Sequence, residues 1–293
     1  MMGEPILTIL IIVACFLASY KGFQDYTFFK RYAFEVDPIL VGKDYQRVLS
    51  SAFLHVSWMH LIFNMIALYI FGKVLEGTMG MGNYALLYFG SLLAGSGFAL
   101  YIHRNHGDYS AVGASGGVSG LVFAYIAMFP GAEIGMIFLP IHIPGWAFGL
   151  LYMLYSIYGI RSQRDNIGHE AHFGGAVAGL LIAMALHPEM VRENLVTVSL
   201  VLVPALIFLW FVFKRPTFLL VDKPLFGQGK PNVNTESQRP RKKKKGDAFM
   251  RINSEESAAH DEAELNRILD KISAEGMDSL TRKEKNLLDK YSR

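Results

Sequence analysis

Residues 171–179 read Ala-His-Phe-Gly-Gly-Ala-Val-Ala-Gly, inside an apolar run from 168 to 187. A run of that length suits a helix that crosses a bilayer, which takes roughly 17–25 residues. His172 is then an ionisable side chain at membrane depth, where such residues are costly and mark functional sites. His172, Gly175 and Gly179 fall at i, i+3 and i+7 and share one helix face. Apart from the imidazole that face is bare, so a second helix can approach closely enough to meet it.

The surrounding chain fits a membrane setting. Of its 293 residues 52% are hydrophobic, with 28 Gly and 21 Phe, and the mean hydropathy is +0.29. Charge is concentrated in the last third, so the net charge of +3 describes the whole chain poorly. Candidate spans fall near 5–20, 56–75, 83–103, 114–130, 145–160, 168–187 and 197–213. The fold class expected is therefore all-α, a polytopic membrane helical bundle of six spans with a seventh at 197–213. The run 5–20 is read as a span and not a leader, because only Glu4 precedes it and no small-residue cleavage pattern follows. The stretch 130–144 carries Pro130, Pro140 and Pro144 and reads as a partly embedded loop. The single cysteine, Cys15, excludes an intramolecular disulfide.

Two other spans carry polar residues. At the start of the fourth stand Gly113, Ala114, Ser115 and Gly116, with Gly120 one turn on. The first-turn N–H groups of a helix lack intrahelical acceptors and can donate to an incoming oxyanion. Gly116 and Gly120 bare one face for packing. Alone, this stretch reads more simply as a helix cap with a packing motif. In the second span His60 and Asn64 lie four apart and point the same way. Their donors can converge on developing negative charge, or simply join two helices. His172 taken singly fits an interhelical hydrogen bond as well as a general base. Together the three features supply a nucleophile, a base and oxyanion donors from separate spans.

These residues resemble the rhomboid family of intramembrane serine proteases. The likeness rests on GASG at 113–116, AHFGGAVAG at 171–179 and HVSWMHLIFN at 55–64, in the family's order. Arg47 resembles the arginine of the family's first-loop motif, and Glu76 with Gly80 resembles its Glu-xxx-Gly turn. The likeness covers residues 1–190. It implies a six-helix core, Ser115 as nucleophile, His172 as general base, and an oxyanion hole from the Ser115 N–H, His60 and Asn64. Gly113, Gly116, Gly120, Gly175 and Gly179 would support the site by close packing. It implies membrane-spanning protein substrates, no cofactor and no metal. Glu170 is two residues before His172, about 160° round the helix, so no carboxylate is expected to orient the base. Two positions depart from the family: Ser119 stands where many members carry an aromatic against the histidine, and Gln46 replaces the tryptophan beside the arginine.

Rival readings are weaker. His169-Glu170-Ala171-His172 superficially resembles a zinc motif, but the histidines are three apart where four are needed. A non-proteolytic chaperone on the same scaffold would not need both Ser115 and His172. A transporter would call for an inverted repeat or charged pathway that the sequence lacks. The basic run has no interleaved aromatics, which argues against nucleic acid.

The expected layout is a membrane core at 1–190, a seventh helix within 191–222, a basic flexible linker at 223–250 containing Lys242–Lys245, and a small helical hairpin at 251–293. A hairpin that small is expected to dock on a partner, and the basic run to be solvated or drawn to anionic lipid. Localisation is expected in a bacterial-type cell membrane. A spanning 197–213 would put the tail on the active-site side, and an interfacial one would keep it with the N-terminus.

Overall fold

The computed structural model describes residues 4–214, apart from 130, 137–138 and 163–166, together with positions 271 and 281. The expected linker at 223–250 and hairpin at 251–293 thus lie outside the described residues. The chain divides into two units at 228/229, and the elements that follow belong to the first.

The helices are α1 (Ile6–Gln24), α2 (Tyr26–Tyr32), α3 (Val36–Leu40), α4 (Gln46–Ser50), α5 (Trp58–Ile102), α6 (Ser115–Met128), α7 (Gly145–Ser162), α8 (His169–Leu186), α9 (Pro188–Arg192) and α10 (Leu195–Lys214). Four of them, α1, α5, α8 and α10, are long and apolar enough to cross a membrane. α5, with 45 residues, is two spans: it breaks at Gly80, whose φ of 77° interrupts the helix. Only glycine takes such a backbone without strain. The protein is an all-α polytopic membrane bundle, with a helix at each of the seven expected spans.

The helices alternate in direction. Glu76, at the end of the first half of α5, accepts hydrogen bonds from the Leu7 and Thr8 N–H groups, each at 2.9 Å, and from Thr8 Oγ1 at 2.8 Å. Those N–H groups open α1 and have no helical acceptor. At the opposite face, Ser19 near the end of α1 meets His55 just before α5. α10 starts beside the end of α6, where Asn194 Nδ2 donates to the Ile126 carbonyl at 2.6 Å. It ends with Phe213 against Tyr101, ring centroids 5.1 Å apart. α10 therefore runs from the face of the α1 N-terminus to the face of His55.

Packing rather than water expulsion joins helices in lipid. The outer faces stay apolar and open, as with Leu17, Leu151 and Trp210. Inside, glycines let backbones touch. A Cβ on Gly175 would lie 2.1 Å from the Gly116 carbonyl oxygen, one on Gly179 2.2 Å from that of Gly120, and one on Gly95 2.4 Å from that of Ala171. α5, α6 and α8 thus form one tight seam.

One feature differs from the sequence reading. The stretch expected as a loop at 130–144 contains an antiparallel hairpin, β3 (Glu133–Met136) with β4 (Leu139–Pro144). Leu139, Ile141 and Ile143 alternate with other residues, a strand period, and an isolated two-stranded ladder has free edges that tolerate proline. Between α1 and α5 the chain holds the three short helices α2, α3 and α4. Arg47 knits it together: Nη1 donates to the Lys30 and Ala33 carbonyls at 2.8 Å each and approaches Glu35, while Nε reaches Asp44 at 2.9 Å. This segment also supplies β1 (Phe34–Glu35), which pairs with β2 (Ser110–Ala111) just before Ser115.

Candidate active site

α6 has only 14 residues, about 21 Å of helix against roughly 30 Å of hydrocarbon. Ser115 is its first residue. The approach to it is held at three points: β2 pairs with β1, the Gly113 N–H donates to the Ser51 carbonyl at 3.0 Å, and the Ala114 N–H donates to His55 Nε2 at 3.4 Å. Gly113 takes φ 130°, a conformation that excludes a side chain. A Cβ there would meet His60 Cε1 at 2.9 Å and Nε2 at 3.0 Å, with Ser115 Oγ at 3.7 Å. His60 and Ser115 therefore face each other across the bare α-carbon of Gly113.

His55 explains part of that geometry. Its Nε2 accepts from Ala114, so its Nδ1 carries the proton toward Ser19 Oγ at 3.0 Å. Ser19 passes its own proton to the Phe53 carbonyl. Burial first, and then the charge of neighbouring His60, hold His55 down to about 3, which keeps the neutral ring that this arrangement needs.

One cavity of about 920 Å³ has Ser115, His172, His60, Asn64 and Gly113 in its wall. Its rim includes the exposed Val56 and Ile167. Ser115 and His172 are each half-buried. The Ser115 N–H belongs to the first turn of α6, where no intrahelical acceptor exists. Asn64 spends one amide proton on the His60 carbonyl at 2.9 Å, leaving the other for the cavity. The five glycines divide by role: Gly113 clears room for His60, while Gly116 with Gly175 and Gly120 with Gly179 bring α6 onto α8. Among the described residues no group of three or more His, Cys, Asp or Glu is arranged to hold a metal ion.

Sequence reasoning missed two constellations. Glu170 is 4% exposed and turns from His172 to His103, whose Nε2 lies 3.1 Å from Glu170 Oε1 in an oblique contact. Tyr109 donates to Glu170 Oε2 at 3.4 Å and stacks on His103, centroids 3.6 Å apart. Burial, then the Glu170 carboxylate, raise the Tyr109 hydroxyl far above its ordinary range, so it stays a donor. The second is Tyr152 of α7. Its ring stacks beside His172, centroids 6.2 Å apart and planes 26° apart, and its hydroxyl meets Ser119 Oγ at 2.7 Å. An aromatic thus flanks His172 although position 119 is serine. Nothing local signals this, because Ser119 and Tyr152 lie on different helices.

A deep cavity in a membrane bundle, walled by a helix-start serine and a histidine, defines a class of intramembrane site. The chain belongs to the rhomboid family: the family described as "Rhomboid domain" matches residues 42–189, just over half of the chain. A second match, "Family of unknown function (DUF6576)", covers residues 252–293. The chain is 31% identical over 163 residues to "Rhomboid protein 1, mitochondrial" of Saccharomyces cerevisiae, covering 53% of this chain and 47% of that one. It is 26% identical over 193 residues to "RHOMBOID-like protein 12, mitochondrial" of Arabidopsis thaliana, covering 61% and 57%. It is 26% identical over 188 residues to "Rhomboid protease GluP" of Bacillus subtilis, covering 61% and 34%. The chain spans about half the length of the curated relatives it matches. It is an integral, multi-pass membrane protein. Relatives named for mitochondria match alongside Bacillus proteins, so the expected bacterial-type cell membrane gains no support.

Proposed function

We infer that this protein is an intramembrane serine endopeptidase acting on membrane-spanning segments of other proteins. The observation that carries this is the backbone-to-backbone seam of α6 and α8 beside one cavity, with Ser115 and His172 both in its wall. An ionisable side chain among membrane-spanning helices is costly and marks a functional site.

The chemistry follows from the residue types. His172 takes the Ser115 hydroxyl proton as Oγ bonds to the scissile carbonyl carbon, and the carbonyl electron pair moves onto oxygen. The Ser115 N–H, with His60 and Asn64, stabilises that oxyanion. Collapse breaks the C–N bond, and the leaving amine takes the proton from the His172 imidazolium. Water then loses a proton to His172 as its oxygen bonds to the ester carbon; the tetrahedral adduct collapses by breaking the bond to Ser115 Oγ, which takes the proton from the imidazolium, and the new C-terminal acid leaves. The scheme uses two side chains, and Glu170 takes no part in it because His103 and Tyr109 engage its carboxylate. It uses no metal and no cofactor. A substrate helix must open locally, because a helical carbonyl is already hydrogen-bonded and shielded by its neighbours.

The test is cleavage of a panel of reporter transmembrane segments in liposomes. Wild-type protein should cleave at least one, and Ser115→Ala should lose roughly a thousandfold or more while staying folded. Equal cleavage by both would end the protease reading. A chaperone on this scaffold would keep its function in Ser115→Ala.

A further inference from the structure

A general base works only if its ring is held toward the hydroxyl it deprotonates. An imidazole on a helix can otherwise turn among rotamers, and a displacement of about 1 Å can cost roughly a hundredfold in rate. Glu170 is committed elsewhere. Two rings flank His172: His169, on the same helix, meets it edge-on at 6.3 Å, and Tyr152 of α7 lies more nearly parallel to it. Tyr152 lies 6.2 Å from it, centroid to centroid, with planes 26° apart. That falls in the range of offset aromatic stacking.

Tyr152 is itself fixed on several sides. Phe123 of α6 meets it edge-on at 5.4 Å, and Phe148, one turn earlier on α7, lies at 5.8 Å. Its hydroxyl shares a 2.7 Å hydrogen bond with Ser119. Ser119 is 4% exposed and sits one turn after Ser115 on α6. In a dry interior each hydroxyl needs a partner, and here each satisfies the other. The same helix thus carries Ser115 and the group that anchors the ring beside His172.

Resting on the protease reading above, we propose that Tyr152 is a positioning residue for His172 and that the Ser119 hydroxyl orients it. Neither group touches the reacting atoms. Their effect falls on kcat, through the fraction of time the imidazole faces Ser115, and leaves substrate binding alone.

The test measures kcat and KM on one reporter segment in liposomes, with thermal unfolding of each variant as a fold check. Tyr152→Leu should lower kcat about tenfold or more with KM within about twofold. Tyr152→Phe keeps the ring and should recover most of that loss. Ser119→Ala and Tyr152→Phe each remove the same hydrogen bond, so each should lower kcat about two- to fivefold, and the double variant no further. A wild-type kcat in Tyr152→Leu, or a change confined to KM, overturns the proposal. If Tyr152→Leu does not fold, the other variants decide: unchanged kcat, or losses that multiply, overturn it equally. Cleavage by Ser115→Ala at the wild-type rate would instead sink the protease reading, an outcome told apart from these.

Discussion

Gly175 and Gly116 touch backbone to backbone, with so little room that a Cβ on Gly175 would lie 2.1 Å from the Gly116 carbonyl oxygen. That contact sets how near α8 comes to α6, and so how near His172 comes to Ser115. A methyl group there must push the two helices apart. Gly175→Ala should cost about 1–3 kcal/mol of stability, as overpacking does, and should abolish most cleavage. Gly97, on α5, has nothing within 4 Å of where its Cβ would stand. Gly97→Ala should be neutral or gain up to about 1 kcal/mol. Thermal unfolding of the two variants in one detergent checks the contrast.

His55 makes stability depend on pH. Its folded value of about 3 lies below the ordinary 6.5. The unfolded chain therefore binds the proton first as pH falls. The contribution of His55 is intact above about pH 6.5 and declines by about 1.4 kcal/mol per pH unit between 6.5 and 3. His55→Gln removes the titrating group, so the stability lost between pH 7 and pH 5 should shrink by about 2 kcal/mol relative to wild type. An unchanged loss would show that other groups govern the acid limb.

The direction of α10 predicts a topology. Phe213 packs on Tyr101, two residues from the cavity-lining His103, and the α10 length of 20 residues is about 30 Å, enough to cross. A membrane-impermeant thiol reagent should label Lys214→Cys from the same face as Ser110→Cys, and Glu4→Cys from the opposite face. Labelling of positions 4 and 214 from one face would mean that α10 does not cross.

Much of this architecture was legible because a membrane simplifies the problem. Apolar runs of span length, such as those ending in α8 and α10, mark themselves. Polar residues such as Ser115, His60 and His172 stand out because hydrocarbon penalises them. Glycine spacing exposed the α6–α8 seam through Gly116, Gly120, Gly175 and Gly179. What could not be read was contact between helices distant in sequence. Tyr152 looks like any interfacial aromatic until α7 packs beside α8, and Ser119 looks like a lost aromatic until the Tyr152 hydroxyl meets it. Glu170 was rightly turned from His172 by helix geometry, but its partners His103 and Tyr109 come from the chain between α5 and α6. The β3–β4 hairpin was masked by its prolines, which outweighed the alternation of Leu139, Ile141 and Ile143.

The central claim is that His172 makes the Ser115 hydroxyl a nucleophile. The most direct measurement is mass-spectrometric mapping of the intact membrane protein after exposure to a phosphonofluoridate, which reacts preferentially with activated serines. An adduct on Ser115 in the folded wild-type protein, lost in His172→Ala and on denaturation, is the predicted result. No adduct on Ser115, or one that forms equally fast without His172, would contradict the account.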